Sequence, residues 1–162
     1  PKANDMTDYK PIPHTSWAFR SVGSKCHSFI LENKKHVRLV DDNPFNIVIA
    51  QRLIEKIGFK VTPAYNGEEA IKVARELHAQ GEIISFILMD CMMPIMNGYK
   101  ATKKLRAMMK RGELPDIPII ALSAGDNEKD KKNCLDAGMN EHICKPLNEC
   151  ELRRLVDKYK IL

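Results

Sequence analysis

Short apolar runs alternate along this chain with longer segments in which apolar residues recur every three or four positions. The short runs have the length of buried β-strands, and the longer segments have the spacing of amphipathic α-helices. The runs predict five strands, at residues 37–40, 60–64, 83–89, 117–122 and 142–144. Each strand is followed by one predicted helix, so the chain is expected to contain five strands and five helices in alternation.

Residues that cap or break helices set the expected boundaries. Asn43 and Pro44 are a typical start for the first helix, and Gly58 is a typical end. The fourth helix is expected to run from a cap at Asp126 to Ala137. Strands that alternate with helices imply right-handed crossovers and a parallel sheet covered on both faces. The predicted fold is therefore α/β: a flavodoxin-like, doubly wound sheet of five parallel strands in the order 2-1-3-4-5, with five helices.

The periodic pattern begins only near residue 36. Residues 1–35 contain scattered prolines and serines without clear periodicity, so they are predicted to be a linker or upstream leader, partly ordered at most. Trp17 and Phe19 leave open a real additional element, because disordered segments are usually poor in aromatic residues. Residues 36–162 are predicted to form the folded domain. Because the chain does not begin with methionine, it is expected to be a piece of a longer protein.

Composition and charge exclude several classes of function. The formal net charge of +5 is not concentrated in one strongly basic region, so no nucleic-acid partner is expected. No apolar stretch of about 18 residues occurs, so no direct membrane contact is expected, and whether a longer parent protein is membrane-anchored stays open. The five cysteines are odd in number and lack a Cys-x-x-Cys spacing, which favours reduced thiols in the cytoplasm.

Acidic residues follow two of the predicted strands. Asp41 and Asp42 follow the first strand and Asp90 follows the third, and these strands are neighbours in the predicted order. Carboxylates this close need a cation, since their mutual repulsion would otherwise raise the pKa of at least one of them. A hard divalent ion such as Mg²⁺ binds one or two carboxylates, keeps several waters and accepts a phosphate oxygen. Mg²⁺ is therefore the predicted cofactor.

Two further residues are expected at the same edge of the sheet. Ser123 follows the fourth strand and Lys145 follows the fifth. An aspartate beside Mg²⁺ can attack a phosphoryl group when cationic and hydroxyl groups hold the phosphoryl oxygens. Taken singly, such a serine or lysine is more often an ordinary turn or surface residue. Their joint placement with the acids is what favours a site, and no glycine-rich phosphate-binding motif suggests a nucleotide instead.

Five motifs in order give the chain a family resemblance. They are Asp41-Asp42-Asn43, Met89-Asp90 with Met93-Pro94 and Asn97-Gly98, Ala121-Leu122-Ser123-Ala124, Gly138-Met139 and Lys145-Pro146. Residues 36–162 therefore resemble the receiver domain of two-component response regulators, most of all the receivers of hybrid histidine kinases.

The resemblance implies a role for each acidic residue. Asp90 would accept a phosphoryl group from a phosphohistidine. Asp42, Asp90 and the backbone carbonyl of Met92 would bind Mg²⁺ directly, and Asp41 would help through water. The implied function is a phosphoacceptor receiver, served by a histidine kinase or a histidine phosphotransfer protein, that switches partner interactions in a phosphorelay. Formation of a homodimer on phosphorylation stays open.

The resemblance also implies a switch. Ser123 would hydrogen-bond the phosphoryl group, and Lys145 would pair with it and precede a cis peptide bond. His142 stands where the family usually has tyrosine or phenylalanine, so switching is expected to be weaker or pH-sensitive. The alternative that His142 is simply an exposed strand residue stays open.

Self-dephosphorylation is expected to be slow. In receivers, the residues two positions beyond the aspartate and two beyond the serine influence the attack of water on the acyl phosphate. These residues are Met92 and Gly125 here, and neither side chain can orient a water molecule.

Two other classes of protein share part of this pattern. A haloacid-dehalogenase-like phosphatase would need a second aspartate two residues after Asp90, where this chain has Met92. A pseudo-receiver is an interaction module that works without phosphorylation, and such modules usually lack an acid or the lysine. All of these residues are present here, so the pseudo-receiver remains the alternative and the active receiver is favoured.

Overall fold

The computed structural model describes residues 36–159. The strands are β1 (His36–Val40), β2 (Lys60–Ala64), β3 (Ile84–Asp90), β4 (Ile119–Ser123) and β5 (Glu141–Cys144). The helices are α1 (Pro44–Lys56), α2 (Gly67–Ala79), α3 (Gly98–Lys110), α4 (Glu128–Asp136) and α5 (Glu149–Lys158). The leader expected at residues 1–35 and the last residues, 160–162, lie outside the described part of the chain.

All five strands are parallel and lie in the order β2-β1-β3-β4-β5, which confirms the predicted fold. Helices α1 and α5 cover one face of the sheet, and α2, α3 and α4 contribute to the core on the other. In β3, Phe86 and Leu88 pack on the first face, whereas Ile87 and Met89 pack on the second. Because both faces are buried, this strand reads as a continuous apolar run rather than an alternating one.

Each described helix begins at an asparagine. The side-chain oxygen of each cap accepts a hydrogen bond from a backbone N–H two or three residues later, and the caps are Asn43, Asn66, Asn97, Asn127 and Asn148. The expected cap at Asp126 is wrong. Asn127 accepts from the backbone N–H of Asp130 at 2.8 Å, whereas the carboxylate of Asp126 lies 2.8 Å from the ammonium of Lys131.

Four strands also differ from the prediction by one or two residues, and of these β1 and β5 each begin one residue earlier, at His36 and Glu141. Strand β4 begins at Ile119 rather than at residue 117, because Pro118 has no N–H to donate to a neighbouring strand. The Pro118 carbonyl nevertheless accepts from the backbone N–H of Ile87 at 2.9 Å. Strand β3 begins after Ile83, whose side chain is exposed, and it extends to Asp90.

The described cysteines are all free thiols. Cys91 and Cys134 are buried with their sulfur atoms 3.6 Å apart, Cys144 is half-buried and Cys150 is exposed. None of the helices between residues 36 and 159 is long and apolar enough to cross a membrane.

Arg38 is an unusual member of the core. It lies in β1 and is fully buried, and its Nη1 donates to the backbone carbonyl of Thr62 at 2.8 Å. Its Nε and Nη2 have no hydrogen-bond partner among residues 36–159. Burial lowers the pKa of the Arg38 guanidinium to about 10, against the opposing charges of Glu69 and Glu76. The arginine therefore carries a desolvation cost that its single hydrogen bond does not offset.

We expect Arg38→Met to raise the free energy of unfolding by about 1–3 kcal/mol, because it removes a buried charge and keeps most of the side-chain length. A higher urea midpoint at an unchanged m-value would measure the gain. Arg38→Ala is the matched control and should lose stability, because it leaves a cavity. Equal losses in the two variants would show that the guanidinium is fully paired in solution.

Candidate functional site

The strand register brings the predicted site residues to one edge of the sheet. Val40 of β1 lies beside Met89 of β3, so Asp41 follows at the level of Asp90. Ser123 is the last residue of β4, next to β3, and Lys145 follows β5. The carboxyl ends of parallel strands therefore gather the acids, the hydroxyl and the lysine, as expected for this topology.

The three acids form a tight cluster. One carboxylate oxygen from each of Asp41, Asp42 and Asp90 lies within 4.8 Å of the other two. Asp41 and Asp90 are buried, and Asp42 is exposed. The Asp41 carboxylate accepts hydrogen bonds from the backbone N–H of Asn43 at 2.9 Å and from Nδ2 of Asn46 at 3.1 Å. The first turn of α1 therefore fixes the orientation of Asp41, and Asn46 is a site residue that the sequence analysis missed.

Lys145 joins the two buried carboxylates. Its Nζ lies 2.6 Å from Oδ2 of Asp41 and 2.8 Å from Oδ2 of Asp90. Burial alone would lower the pKa of Lys145, but its hydrogen bonds to the two aspartates hold that pKa above its ordinary value. The lysine therefore stays an ammonium ion. It precedes Pro146 through a cis peptide bond, as the resemblance implied.

Asp90 occupies a less favourable environment for its charge. Burial raises the pKa of the Asp90 carboxyl, while Lys145 and the backbone N–H of Met92, 3.2 Å from Oδ1, partly counteract that rise. The ammonium ion of Lys145 contacts two of the three carboxylates at this edge, which leaves negative charge uncompensated. An all-oxygen donor set with excess negative charge fits Mg²⁺.

The Ser123 hydroxyl forms its hydrogen bonds with groups other than the three acids. Its Oγ donates to the backbone carbonyl of Gly125 at 2.6 Å and lies 2.6 Å from Nε2 of His142. The Ser123 hydroxyl has a single hydrogen, and it donates this hydrogen to the Gly125 carbonyl, which can only accept. In the contact between Ser123 and His142, the donor is therefore assigned as Nε2–H of His142. His142 is half-buried and holds the serine, so it is not simply an exposed strand residue.

A family model described as the response regulator receiver domain matches residues 37–157. This chain belongs to the response regulator receiver family. The receiver is 33% identical over 123 residues to hybrid signal transduction histidine kinase L of Dictyostelium discoideum. That alignment covers 76% of this chain and 7% of the kinase, so the receiver spans a small part of this relative's length.

Solved structures give the same family. One of them is the receiver domain of sensor histidine kinase PA1611 from Pseudomonas aeruginosa, which has a magnesium ion in its active-site cleft. It is 34% identical to this chain with a TM-score of 0.65, and the match covers 77% of this chain and 96% of that one. A co-crystal structure of the Saccharomyces cerevisiae histidine phosphotransfer protein Ypd1 with the receiver domain of the response regulator Ssk1 matches at 27% identity and a TM-score of 0.68, over 76% of this chain and 87% of that one. The resemblance stated from the motifs is confirmed.

The loop after β3 packs closely against the end of the strand in this receiver. Gly98 donates its backbone N–H to the carbonyl of Cys91 at 3.1 Å. A Cβ atom added at Gly98 would lie 2.1 Å from the backbone oxygen of Asp90, which no side chain can tolerate. The glycine of the Asn97-Gly98 motif is therefore needed for close approach of the loop to the strand that ends in Asp90.

Five of the eight large apolar side chains that are exposed among residues 36–159 lie on α1 and on the loop after β3. They are Phe45, Val48, Ile49, Met92 and Ile95. A cavity of about 290 Å³ is lined by Ile49 together with Asp41 and Lys145. The sequence pattern predicted α1 as an amphipathic helix and did not predict this exposed apolar surface. The helix contains more apolar residues than one buried face can hold, and this excess was the signal in the sequence for an exposed apolar surface.

Ile95 carries backbone strain in this loop. Its φ angle is 67°, a left-handed conformation that β-branched residues rarely adopt, and its side chain is 76% exposed. The strain is therefore not offset by burial of the side chain.

We expect Ile95→Asn to raise the free energy of unfolding by about 1 kcal/mol, because asparagine tolerates the left-handed region. Thermal and urea unfolding would measure the gain. Ile83→Asn is the matched control, since Ile83 is 46% exposed and is not among the residues with positive φ. The same gain in both variants would point to lost surface hydrophobicity instead of relieved strain.

Proposed function

We propose that Asp90 of this receiver accepts a phosphoryl group from a phosphohistidine. The observation that carries the proposal is the ion-paired cluster at the sheet edge, where buried Asp90 lies 2.8 Å from Lys145 and within 4.8 Å of two further carboxylates. A carboxylate oxygen of Asp90 attacks phosphorus, and the bond between phosphorus and the donor's imidazole nitrogen breaks. The electron pair of that bond leaves with the imidazole, and an aspartyl phosphate forms.

The residues around Asp90 have separate roles in this transfer. Lys145 pairs with a phosphoryl oxygen, because its ammonium already lies between the two buried carboxylates. Asp41, Asp42, Asp90 and the carbonyl of Met92 would hold Mg²⁺. When bound, Mg²⁺ supplies positive charge that stabilises the phosphoryl oxygens.

The switch follows from the present contacts of Ser123. To hydrogen-bond a phosphoryl group on Asp90, the hydroxyl must leave the Gly125 carbonyl and His142. Those contacts connect β4 with the loop before α4 and with β5, so their loss changes the surface formed by these elements. His142 is therefore proposed as a switch residue together with Ser123.

A histidine phosphotransfer protein or histidine kinase is the proposed partner. The exposed apolar side chains of α1 and of the loop after β3 are the proposed docking surface, because exposed apolar side chains in one region can mark interaction sites. The yeast complex provides an analogue, since a phosphotransfer protein there binds a receiver. We further propose that residues 36–162 form one domain of a longer hybrid kinase.

Incubation with acetyl phosphate and Mg²⁺ is expected to add one phosphoryl group per chain, measured as intact protein mass. Asp90→Asn should abolish the adduct because it removes the acceptor. Asp42→Asn should reduce the yield, since it removes a proposed Mg²⁺ ligand without disturbing the buried ion pairs. Asp136→Asn changes an exposed aspartate at the end of α4 and is the matched control that should leave the yield unchanged.

An adduct that survives Asp90→Asn, or that forms in the presence of a metal chelator, would contradict the proposal. If the wild-type chain gains no mass, and beryllium fluoride with Mg²⁺ leaves its spectrum unchanged, the domain is an interaction module that works without phosphorylation.

Self-dephosphorylation is expected to be slow, with the aspartyl phosphate persisting well beyond seconds. Met92 is 72% exposed and its side chain cannot orient a water molecule for attack. Met92→Glu should shorten the lifetime several-fold, because a carboxylate at this position can position and deprotonate water. Decay of the phosphorylated mass after removal of acetyl phosphate measures both lifetimes. Met109→Glu, on α3, controls for the added charge and should leave the lifetime unchanged.

A further inference from the structure

A second group of metal-binding residue types lies beside the switch serine. Ligand atoms of Asp126, His142 and Cys144 lie within 4.8 Å of one another. His142 and Cys144 are two residues apart on β5, so their side chains share one face of the sheet. Asp126 lies in the loop between Ser123 and α4, and that loop brings its carboxylate to the end of β5.

The carboxylate of this group already attracts a cation. Nζ of Lys131 lies 2.8 Å from Oδ1 of Asp126, and both side chains are open to solvent, at 38% and 67% exposed. A dissolved ion can therefore reach the carboxylate and replace the ammonium, which is free to move into water.

The imidazole of His142 presents an available lone pair. Its Nε2 donates to Ser123, so in the neutral ring the lone pair lies on Nδ1. A histidine that donates one ring N–H to a protein oxygen and binds metal through the other nitrogen is the usual arrangement in metal sites. Ser123 thus orients His142 in the way that an outer partner orients a metal ligand.

Cys144 differs from the other described cysteines, because its thiol is partly accessible and lies beside a histidine and a carboxylate. Its Sγ makes a long contact with the carbonyl of Gly125, at 3.6 Å, and interacts with the Asp126 carboxylate, and the residue is half-buried. Cys91 and Cys134 are buried against each other, and Cys150 lies at the start of α5, outside the group. Cys144 is therefore the accessible thiol with a histidine and a carboxylate beside it.

We propose that Asp126, His142 and Cys144 form a binding site for a borderline divalent transition-metal ion of the Zn²⁺ class. Zn²⁺ accepts sulfur, nitrogen and oxygen ligands, and tetrahedral sites with three protein ligands keep the fourth position open to water. The set differs from the all-oxygen cluster around Asp90, which suits Mg²⁺. On binding, the Cys144 thiol loses its proton to solvent and the ligand atoms close to about 3.5 Å from one another.

Occupancy of this site would restrain the switch, a consequence that rests on the proposed function. An ion on Nδ1 fixes the His142 ring with Nε2–H directed at Ser123. The serine would then have to leave a fixed partner to reach a phosphoryl group on Asp90. Zn²⁺ is thus expected to oppose phosphorylation of the receiver.

Cobalt is the probe for the site, because Co²⁺ replaces Zn²⁺ and reports a thiolate ligand by charge-transfer absorption. Titration of the full 162-residue chain in excess Mg²⁺ is expected to give this absorption with one ion per chain, and Zn²⁺ should abolish it. Cys144→Ser should remove the absorption and Cys150→Ser should keep it. Asp126→Asn should weaken Zn²⁺ binding by more than about tenfold, since even outer partners contribute about 10–100-fold.

Lys131→Ala gives a sharper test, because it removes the competing ammonium from Asp126. It should increase the affinity for Zn²⁺ several-fold. An absorption that is absent in the wild-type chain, or that persists in Cys144→Ser, would overturn the proposal. Circular dichroism of each variant checks its fold, and the exposed positions of Asp126 and Lys131 allow both substitutions without loss of core packing.

The restraint is tested separately, by the ratio of phosphorylated mass with and without Zn²⁺ in each variant. The ratio should fall in the wild-type chain and stay near one in Cys144→Ser, which also controls for Zn²⁺ at the acidic cluster. Equal ratios in both variants would overturn the restraint. A wild-type chain that gains no phosphoryl group even without Zn²⁺ would overturn the proposed function, whereas the cobalt spectrum would still decide the metal site.

Discussion

The ion pairs of Lys145 with Asp41 and Asp90 are the interaction on which the functional edge of this receiver depends. Two buried carboxylates at the ends of adjacent strands repel each other, and burial adds the cost of removing each charge from water. Lys145 follows the carboxyl end of β5, and its Nζ lies 2.6 Å from Asp41 and 2.8 Å from Asp90. One ammonium thereby links the first, third and last strands, and it also makes the edge a place where an anionic group can be received.

Much of this arrangement was predictable because it depends on topology. Short apolar runs indicate strands, alternation with helices implies a parallel sheet, and the residues that follow the strands must then converge. Asp41, Asp90, Ser123 and Lys145 were predicted together for that reason, and the structure places them at one edge. Their convergence at this edge could be predicted without any knowledge of side-chain conformations.

The remaining features depend on contacts that a linear pattern does not contain. Asp126 and Asn127 are both good helix caps, and in the structure Asn127 caps α4 while Asp126 pairs with Lys131. The bond between Ser123 and His142 joins two strands through particular rotamers, and the periodicity of β1 gives no sign that Arg38 is buried. The local sequence preferences therefore predicted where the helices and strands lie, whereas contacts between residues distant in the sequence determined the partners of individual side chains.

The asparagine caps have a consequence for how the domain responds to acid. An amide does not ionise, so the hydrogen bonds that begin all five described helices keep their donors and acceptors at any pH. Aspartate caps, by contrast, lose strength when their carboxylates take up protons. The asparagine caps are thus independent of proton concentration, whereas the acidic residues in the first turns of α2, α4 and α5 add a contribution to helix initiation that protonation removes.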